Sequence, residues 1–389
     1  MIDYNMSKEI KYIGFYNLSD SNIKRAAALS AINKMDYICD AINNASYKVH
    51  LVSPSWIIET TSVPKYQKKS EIKINENKRL TISPSFSSSN KFTGYIKIIF
   101  SLTWLFFWLI LNVKREEIIL VYHSPLLALP LIWAKKIKKF KIVLEVEEIY
   151  GEVWTIKKIL SRWEKKLIQK SDSYIAVSDV LAEILGNKVK AVVYGNYSIP
   201  EVKSKILDNG KINIIYAGAI DYVRGGAYNA VRCVKFLPDN YKMHLCGYGD
   251  SNSIIKLKQM IAQINIEMSK EACEFHGEIP DNKFSEFLYD FQIAINPQKE
   301  GQNMDTLFPS KIIKYLAHNL RVVSTRIKSV NQSAIAPLIS FSSDDTPESF
   351  AKAILQLDLN KDYNSQNFIR EIDRKFANQI KDLLESNEA

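Results

Sequence analysis

Short, mainly apolar runs recur along the first half of the chain, at 12–16, 49–52, 118–122, 142–144, 174–177 and 191–194. Runs of this kind suit strands of a parallel sheet covered on both faces. Between them the apolar positions change to helical spacing. The clearest case is 26–43, through Leu29, Ile32, Met35, Ile38 and Ile42, and a Lys/Trp-rich stretch follows at 156–169. A charged segment bounded by Pro200 and Gly210 interrupts the alternation. It then restarts with strands at 212–216, 242–246, 273–276, 293–295 and 321–325, and helices at 227–237, 252–263 and 281–289. Repeated βα units predict an α/β protein with two Rossmann-like, doubly wound parallel-sheet domains. Two such halves predict a cleft between them, a preferred place for ligands. The expected domains are 1–203 and 204–365, with a terminal helix over 366–389.

Two stretches depart from this rhythm. Residues 60–91 are polar, lysine- and serine-rich, and read as an exposed hairpin and loop. Residues 98–111 are almost wholly apolar and include Trp104, Phe106, Phe107 and Trp108, with Lys97 and Lys114-Arg115 close by. The run is short of the roughly twenty residues that a spanning helix needs. It is expected to be a helix buried against a sheet. The other reading is an interfacial helix with its tryptophans at headgroup depth.

The net charge of +10 narrows the partners to acidic ones: nucleic acid, anionic lipid or a phosphorylated substrate. There is no Arg-rich tail, zinc-finger spacing or RNA-binding aromatic motif, so nucleic acid is not expected. Cys39, Cys233, Cys246 and Cys273 form no close pair and read as reduced core thiols of a cytoplasmic protein. The charged N-terminus, without an apolar core, predicts no export signal.

The most informative segment is Phe308-Pro309-Ser310-Lys311-Ile312-Ile313-Lys314-Tyr315-Leu316-Ala317, followed by Arg321-Val322-Val323-Ser324-Thr325. It predicts a short helix opened by proline, ended by Asn319 in the left-handed conformation, and followed by a buried strand. Lys311 in the first turn faces the positive end of the helix dipole. It belongs there if an anion does too; otherwise its stem covers apolar surface while the ammonium reaches water. The segment resembles the donor-site helix of bacterial retaining glycosyltransferases of GT-B architecture, those of glycosyltransferase family 4 and its relatives. The resemblance implies donor contacts at Ser310 and Lys311. At the position of Lys314 the family usually has a glutamate that accepts the nucleotide ribose hydroxyls, which an ammonium cannot do. It also implies that the terminal helix returns to the first domain, that the first domain binds the acceptor, and that no cofactor or metal is used.

Other motifs follow strand ends, where open α/β sheets bind ligands. The loop Gly218-Ala219-Ile220-Asp221-Tyr222-Val223-Arg224-Gly225 lets backbone approach an anion at Gly218 and Gly225, and Arg224 adds a bidentate cation. A plain βα turn with a solvated arginine is the alternative. In the family this loop carries Gly-Arg, where this chain has Ala219. Gly247-Tyr248-Gly249 resembles the turn beside the nucleobase, and the loop of Glu300 resembles the one over the donor sugar. In the first half, His123 follows one strand, and Glu145, Glu147 and Glu148 surround the end of another. A carboxylate there could take the acceptor hydroxyl's proton or stabilise an oxocarbenium-like centre, with Glu147, Glu148 and His123 as catalytic candidates. Solvated or ion-paired loop residues are the alternative. The loop after the first strand offers Asn17, Asn22 and Arg25 for acceptor recognition.

These readings converge on transfer of a hexose-type sugar, with retention, from a nucleotide diphosphate sugar to a glycan or lipid-linked acceptor. The expected setting is cell-surface polysaccharide biosynthesis at the inner face of the membrane, with peripheral contact to anionic lipid. Two alternatives remain on the sequence: a non-catalytic partner subunit, suggested by Lys314 and Ala219, and a nucleotide-sugar epimerase on the same scaffold.

Overall fold

The computed structural model describes residues 8–18, 20–58, 66–88, 90–153, 157–201, 210–222, 225–299 and 305–386. The chain divides into two compact units. One comprises Met1–Val177, Leu181–Val193 and Arg374–Ala389, the other Ser178–Val180 and Tyr194–Asp373. The C-terminal helix Ser365–Glu385 contributes to both.

The strands of the first unit are, in chain order, β1 (Glu9–Ile13), β2 (Lys48–Ser53), β3 (Tyr66–Gln67), β4 (Ser70–Lys73), β5 (Lys78–Ile82), β6 (Ser85–Phe86), β7 (Ile118–Tyr122), β8 (Lys141–Val146), β9 (Ser173–Ala176) and β10 (Val189–Val192). Eight of them form one sheet in the order β10-β9-β8-β7-β1-β2-β5-β4. Its pairings are parallel except for β4, which runs antiparallel to β5. The short β3 and β6 pair apart from it.

The polar stretch expected to be only a hairpin and loop therefore also supplies a parallel strand of the main sheet. Leu80 and Ile82 of β5 are buried. Their alternation is hidden in the sequence because Lys78 is buried too, with its ammonium 2.7 Å from Asp36.

The apolar helix spans Lys91–Asn112 and starts earlier than its apolar run. Asn90 caps it by accepting from the Thr93 amide at 2.9 Å. It is not the buried helix that was expected. Only one stripe is buried: Lys97, Ser101, Leu105, Trp108 and Leu109, at helical spacing. Phe92, Tyr95, Ile99, Phe107 and Leu111 are exposed, at 57–80% of their full surface. Lys97 does not flank the apolar face; it turns inward to the Ile57 carbonyl and the Ser88 hydroxyl. With a mean hydropathy of 1.8 over an 18-residue window, the helix is long and apolar enough to cross a membrane by length and composition. Its buried stripe is nonetheless packed on the unit's own core.

The second unit contains β11 (Ile212–Ala217), β12 (Tyr241–Cys246), β13 (Cys273–Phe275), β14 (Ile293–Asn296), β15 (Arg321–Ser324) and β16 (Ile339–Phe341). They form a wholly parallel sheet in the order β13-β12-β11-β14-β15-β16. Its core joins Ile214, Leu245, Ile295 and Val323 to helix residues such as Val231, Leu257 and Phe350. The Phe308 segment forms the helix Lys311–Ala317 with Ser310 at its N-cap, so Pro309 precedes the helix instead of occupying its first position. Asn319 ends it with φ 57°, in the left-handed conformation. All four cysteines are free and buried.

Candidate active site

Among the parallel strands the order reverses once in each sheet, between β1 and β7 in the first unit and between β11 and β14 in the second. Ligands of open α/β sheets sit beyond the strand C-termini at such a point.

In the second unit the loop after β11 opens with Gly218 (φ 156°) and ends with Gly225 (φ 66°), which begins the helix Gly226–Cys233. The Lys311 ammonium lies 4.3 Å from the centre of the Tyr216 ring. A Cβ on Gly218 would stand 3.0 Å from that ammonium, so the glycine keeps the space beside the charge open. Tyr216 is itself fixed, its hydroxyl donating to the Ala219 carbonyl at 3.0 Å. Beneath the cation Tyr315 is fully buried and its hydroxyl accepts from the Ala217 amide at 2.9 Å, which ties the helix of Lys311 to β11.

A second cation reaches the same loop. The Lys299 stem passes so close to Gly225 that a Cβ there would meet its Cε at 2.8 Å, and its ammonium is 5.7 Å from the Tyr222 ring centre. Sequence reasoning missed Lys299. Its signal was the position two residues after Pro297, past the end of β14 and across the reversal point from Gly218. Arg224 and Glu300, both expected donor contacts, lie outside the described residues.

The neighbouring strand ends interlock with this loop. The Gly218 amide donates to the Cys246 carbonyl, Ile220 to Tyr248, and Gly247 to Gly277. Gly249 is exposed, and its Cα packs on the Ile220 carbonyl so closely that a Cβ would lie at 2.3 Å. Ser310 is exposed and makes no capping bond with its side chain. Lys314 is half-buried, its ammonium 5.3 Å from the Phe284 ring centre.

In the first unit, charged groups gather where β1, β7 and β8 end. Glu145 is fully buried and accepts from the Tyr12 hydroxyl, also fully buried. Glu147 is held by Lys34, with a closest approach of 2.6 Å. Burial first, and the charge of Glu147 second, push the Glu145 carboxyl up to about 8, against the opposing pull of Lys34 and Tyr12. His123 is fully buried. Its Nε2 is 3.5 Å from a carboxylate oxygen of the buried Glu164, and burial lowers its pKa to about 4. Glu164 also accepts from the amides of Tyr150 and Gly151, at 2.7 and 3.0 Å. Glu148 is half-buried.

Sequence reasoning named Glu145, Glu147 and His123 but missed their respective neighbours Tyr12, Lys34 and Glu164, which come from distant segments. The three acceptor candidates differ among themselves. Asn22 is exposed, Asn17 donates to the Ile23 carbonyl at 2.9 Å, and Arg25 is buried with bonds to the carbonyls of Ser55 and Ser83 at 2.6 and 3.1 Å.

A pH-dependent stability follows from Glu145. In the unfolded chain this carboxyl titrates near 4.5, well below its folded value of about 8. Between those values the folded state keeps a proton that the unfolded state has lost, so stability falls as pH rises through the window. Glu145→Gln is expected to flatten that decline in urea melts of the protein between pH 5 and 8.5. An unchanged slope would mean that the carboxyl ionises freely.

Residues 211–360 match the family model described as Glycosyl transferases group 1. Among solved structures, the chain is similar to sucrose-phosphate synthase from Thermosynechococcus elongatus, with a TM-score of 0.71, 11% identity, and 97% and 98% of the two chains covered. It is also similar to the E. coli trehalose-6-phosphate protein bound with UDP-2-fluoro glucose, with a TM-score of 0.67, 11% identity and 98% of each chain covered. A third is the lipopolysaccharide outer core galactosyltransferase WaaB, with a TM-score of 0.60, 12% identity, and 97% and 99% covered. A comparison with curated proteins finds no significant match. The two parallel sheets have the GT-B fold of these structures, and within the second unit residues 211–360 carry the match to the glycosyl transferases group 1 model. The resemblance read from the Phe308 segment is thereby borne out.

Proposed function

We propose that the chain is a retaining, metal-independent glycosyltransferase that moves a hexose-type sugar from a nucleotide diphosphate sugar to a glycan or lipid-linked acceptor in cell-surface polysaccharide assembly. The observation that carries this reading is the approach of Lys311 and Lys299 to the Gly218–Gly225 loop at the reversal point of the second sheet. Cations beside glycine backbone suit a diphosphate, whose charge they neutralise without a metal. Arg224, which the sequence places between Tyr222 and Gly225, is the further cation assigned to the diphosphate.

In the transfer, the bond from the anomeric carbon to the diphosphate oxygen breaks and the acceptor oxygen bonds that carbon on the same face. The acceptor's proton passes to the departing diphosphate. The lysines stabilise the charge that develops on that leaving group. Glu147 and Glu148 are assigned to the acceptor side, so Glu147→Gln and Glu148→Gln should lower turnover more than nucleotide affinity. Donor hydrolysis and transfer assays, run beside nucleotide titrations, separate the two effects; equal loss in both would remove these residues from that role.

Lys314 supports the second reading, a non-catalytic partner subunit, because an ammonium resting on Phe284 does not replace the ribose-binding carboxylate. Nucleoside diphosphate binding without turnover on any donor would favour it.

The reading includes peripheral contact with anionic membrane at the inner face. The exposed apolar side of Lys91–Asn112 supports it, together with two neighbouring helices, Ala128–Lys138 and Lys158–Lys170. Between those two lies a groove of about 680 Å³ lined by Trp133, Trp163, Lys136, Lys166 and Lys170. Lys136 and Lys166 lie over the faces of Trp133 and Trp163. Aromatic rings with lysines beside them suit a headgroup layer, and the attraction should weaken with salt. The protein is expected to sediment with phosphatidylglycerol-containing vesicles at low salt and less in 0.5 M salt. Phe107→Asp combined with Leu111→Asp should abolish this. Equal sedimentation of wild type and variant would dismiss the surface.

A further inference from the structure

We propose that the second unit carries a binding site for a divalent transition-metal ion of the zinc class, formed by His244 Nδ1, His276 Nε2 and the Glu274 carboxylate, with water completing the tetrahedron. This site lies beyond the transferase reading and does not depend on it.

The three residues are brought together by the β12–β13 pairing. His244 stands opposite Glu274 in the parallel register, and His276 lies two residues further along the same strand direction, where period-two alternation returns it to the same face. Their ligand atoms all fall within 4.8 Å of one another. His244 Nδ1 is 2.9 Å from His276 Nε2 and 3.8 Å from a Glu274 oxygen. Two bonds of about 2.0–2.1 Å at the tetrahedral angle put donor atoms about 3.4 Å apart. The two separations from His244 Nδ1 bracket that value, and the third lies within the 4.8 Å limit of the cluster, so small side-chain rotations bring the three donors onto one ion.

The surrounding groups select the tautomer the metal requires. Asn213 donates its amide N–H to the Asp290 carbonyl at 3.1 Å, which turns its oxygen toward His244 Nε2 at 3.4 Å. His244 therefore keeps its proton on Nε2 and presents the Nδ1 lone pair inward. This is the outer partner that ligating histidines generally have. Without metal, the contact between the two rings is an N–H···N bond donated by His276. As the ion binds Nε2, the proton of His276 moves to Nδ1, 3.7 Å from a Glu274 oxygen, so the ring ligates as neutral imidazole.

Phe291 and Phe287 pack edge-on against the two imidazoles, with ring centres 5.1 and 5.0 Å away, and limit their rotation. Lys242 competes for Glu274 at 2.7 Å, but it also reaches Glu271 at 2.6 Å and retains that partner when the metal arrives. Two imidazoles and one carboxylate suit Zn²⁺, Co²⁺ or Ni²⁺ and not Mg²⁺ or Ca²⁺. The site also has a structural lever. Residue 277, next to His276, offers the carbonyl that receives the Gly247 amide at 2.8 Å, so a bound ion braces the loop that runs to Gly249.

The test is thermal unfolding and isothermal titration of the full, untagged chain with ZnCl₂, CoCl₂ and MgCl₂ after chelator treatment. Zn²⁺ in large excess over its Kd is expected to raise Tm by about 2–4 °C. Mg²⁺ should have no effect, and bound Co²⁺ should show the visible absorption of a tetrahedral ion. His276→Ala and Glu274→Gln, both at half-exposed positions, should each weaken Zn²⁺ binding at least tenfold while keeping the metal-free Tm. Absence of a Zn²⁺ response, or an unchanged response in both variants, would overturn the site.

Discussion

Lys311→Ala is expected to weaken binding of nucleoside diphosphate by at least tenfold while leaving Tm unchanged. The ammonium lies over Tyr216, beside the backbone of Gly218 at the reversal point of the sheet, where a diphosphate is proposed to sit. A charge-assisted contact is worth about 1.5–3 kcal/mol, or about a tenfold to hundredfold change in affinity. Lys311 is only half-buried, whereas the core under it is made by Ile312, Ile313 and Tyr315, so truncation removes charge more than packing. Lys311→Arg should restore part of the affinity, because the positive charge returns with a different shape. Titration calorimetry with UDP, GDP and ADP measures the effect. Equal affinity of wild type and alanine variant for whichever nucleotide binds would remove Lys311 from the site.

The second large effect concerns Gly247. Its φ is 144°, and a Cβ there would lie 1.8 Å from the Gly218 carbonyl oxygen. No side-chain rotation relieves a clash between a Cβ and backbone. Gly247→Ala must therefore push apart the two loops that the bonds Gly218 to Cys246 and Ile220 to Tyr248 hold together. The expected cost is about 3 kcal/mol or more, with loss of nucleotide affinity at the same time. Gly277→Ala is the control. It also has positive φ, at 74°, but open space around it, so it should cost only about 1 kcal/mol. Equal destabilisation by the two substitutions in urea melts would show that conformation alone, and not the contact between loops, sets the cost.

How much of this was legible beforehand depended on whether the signal was local. The strands β7, β8, β11 and β14 stand out as apolar runs because parallel strands are covered on both faces. Asn319 was readable because one residue type commonly takes the left-handed turn that ends a helix, and it does so here. β5 was not readable, since its buried Lys78 is tolerated only through Asp36 on another element. The apolar helix misled for the opposite reason. Composition reports how apolar Lys91–Asn112 is, but not that one stripe suffices to pack it and the rest remains exposed.

The site divided in the same way. Lys311 and the glycines of the Gly218 loop could be identified from their own segments. Lys299 beside Gly225, Tyr12 on Glu145 and Asn213 behind His244 depend on strand neighbours far apart in sequence, which only the sheet order brings together. The buried carboxylate of Glu145 illustrates the difference. The sequence shows a glutamate at the end of an apolar strand, whereas its raised pKa comes from burial beside Glu147.

The central claim, sugar transfer from a nucleotide diphosphate donor, is tested most directly by following labelled α-linked nucleotide diphosphate sugars with the full chain, a membrane lipid and glycan acceptor fraction, and excess EDTA. The account predicts that one donor transfers its label to the acceptor with stoichiometric release of nucleoside diphosphate, and that NMR of the product shows an α-linkage. Nucleotide binding without label transfer from any donor would contradict it.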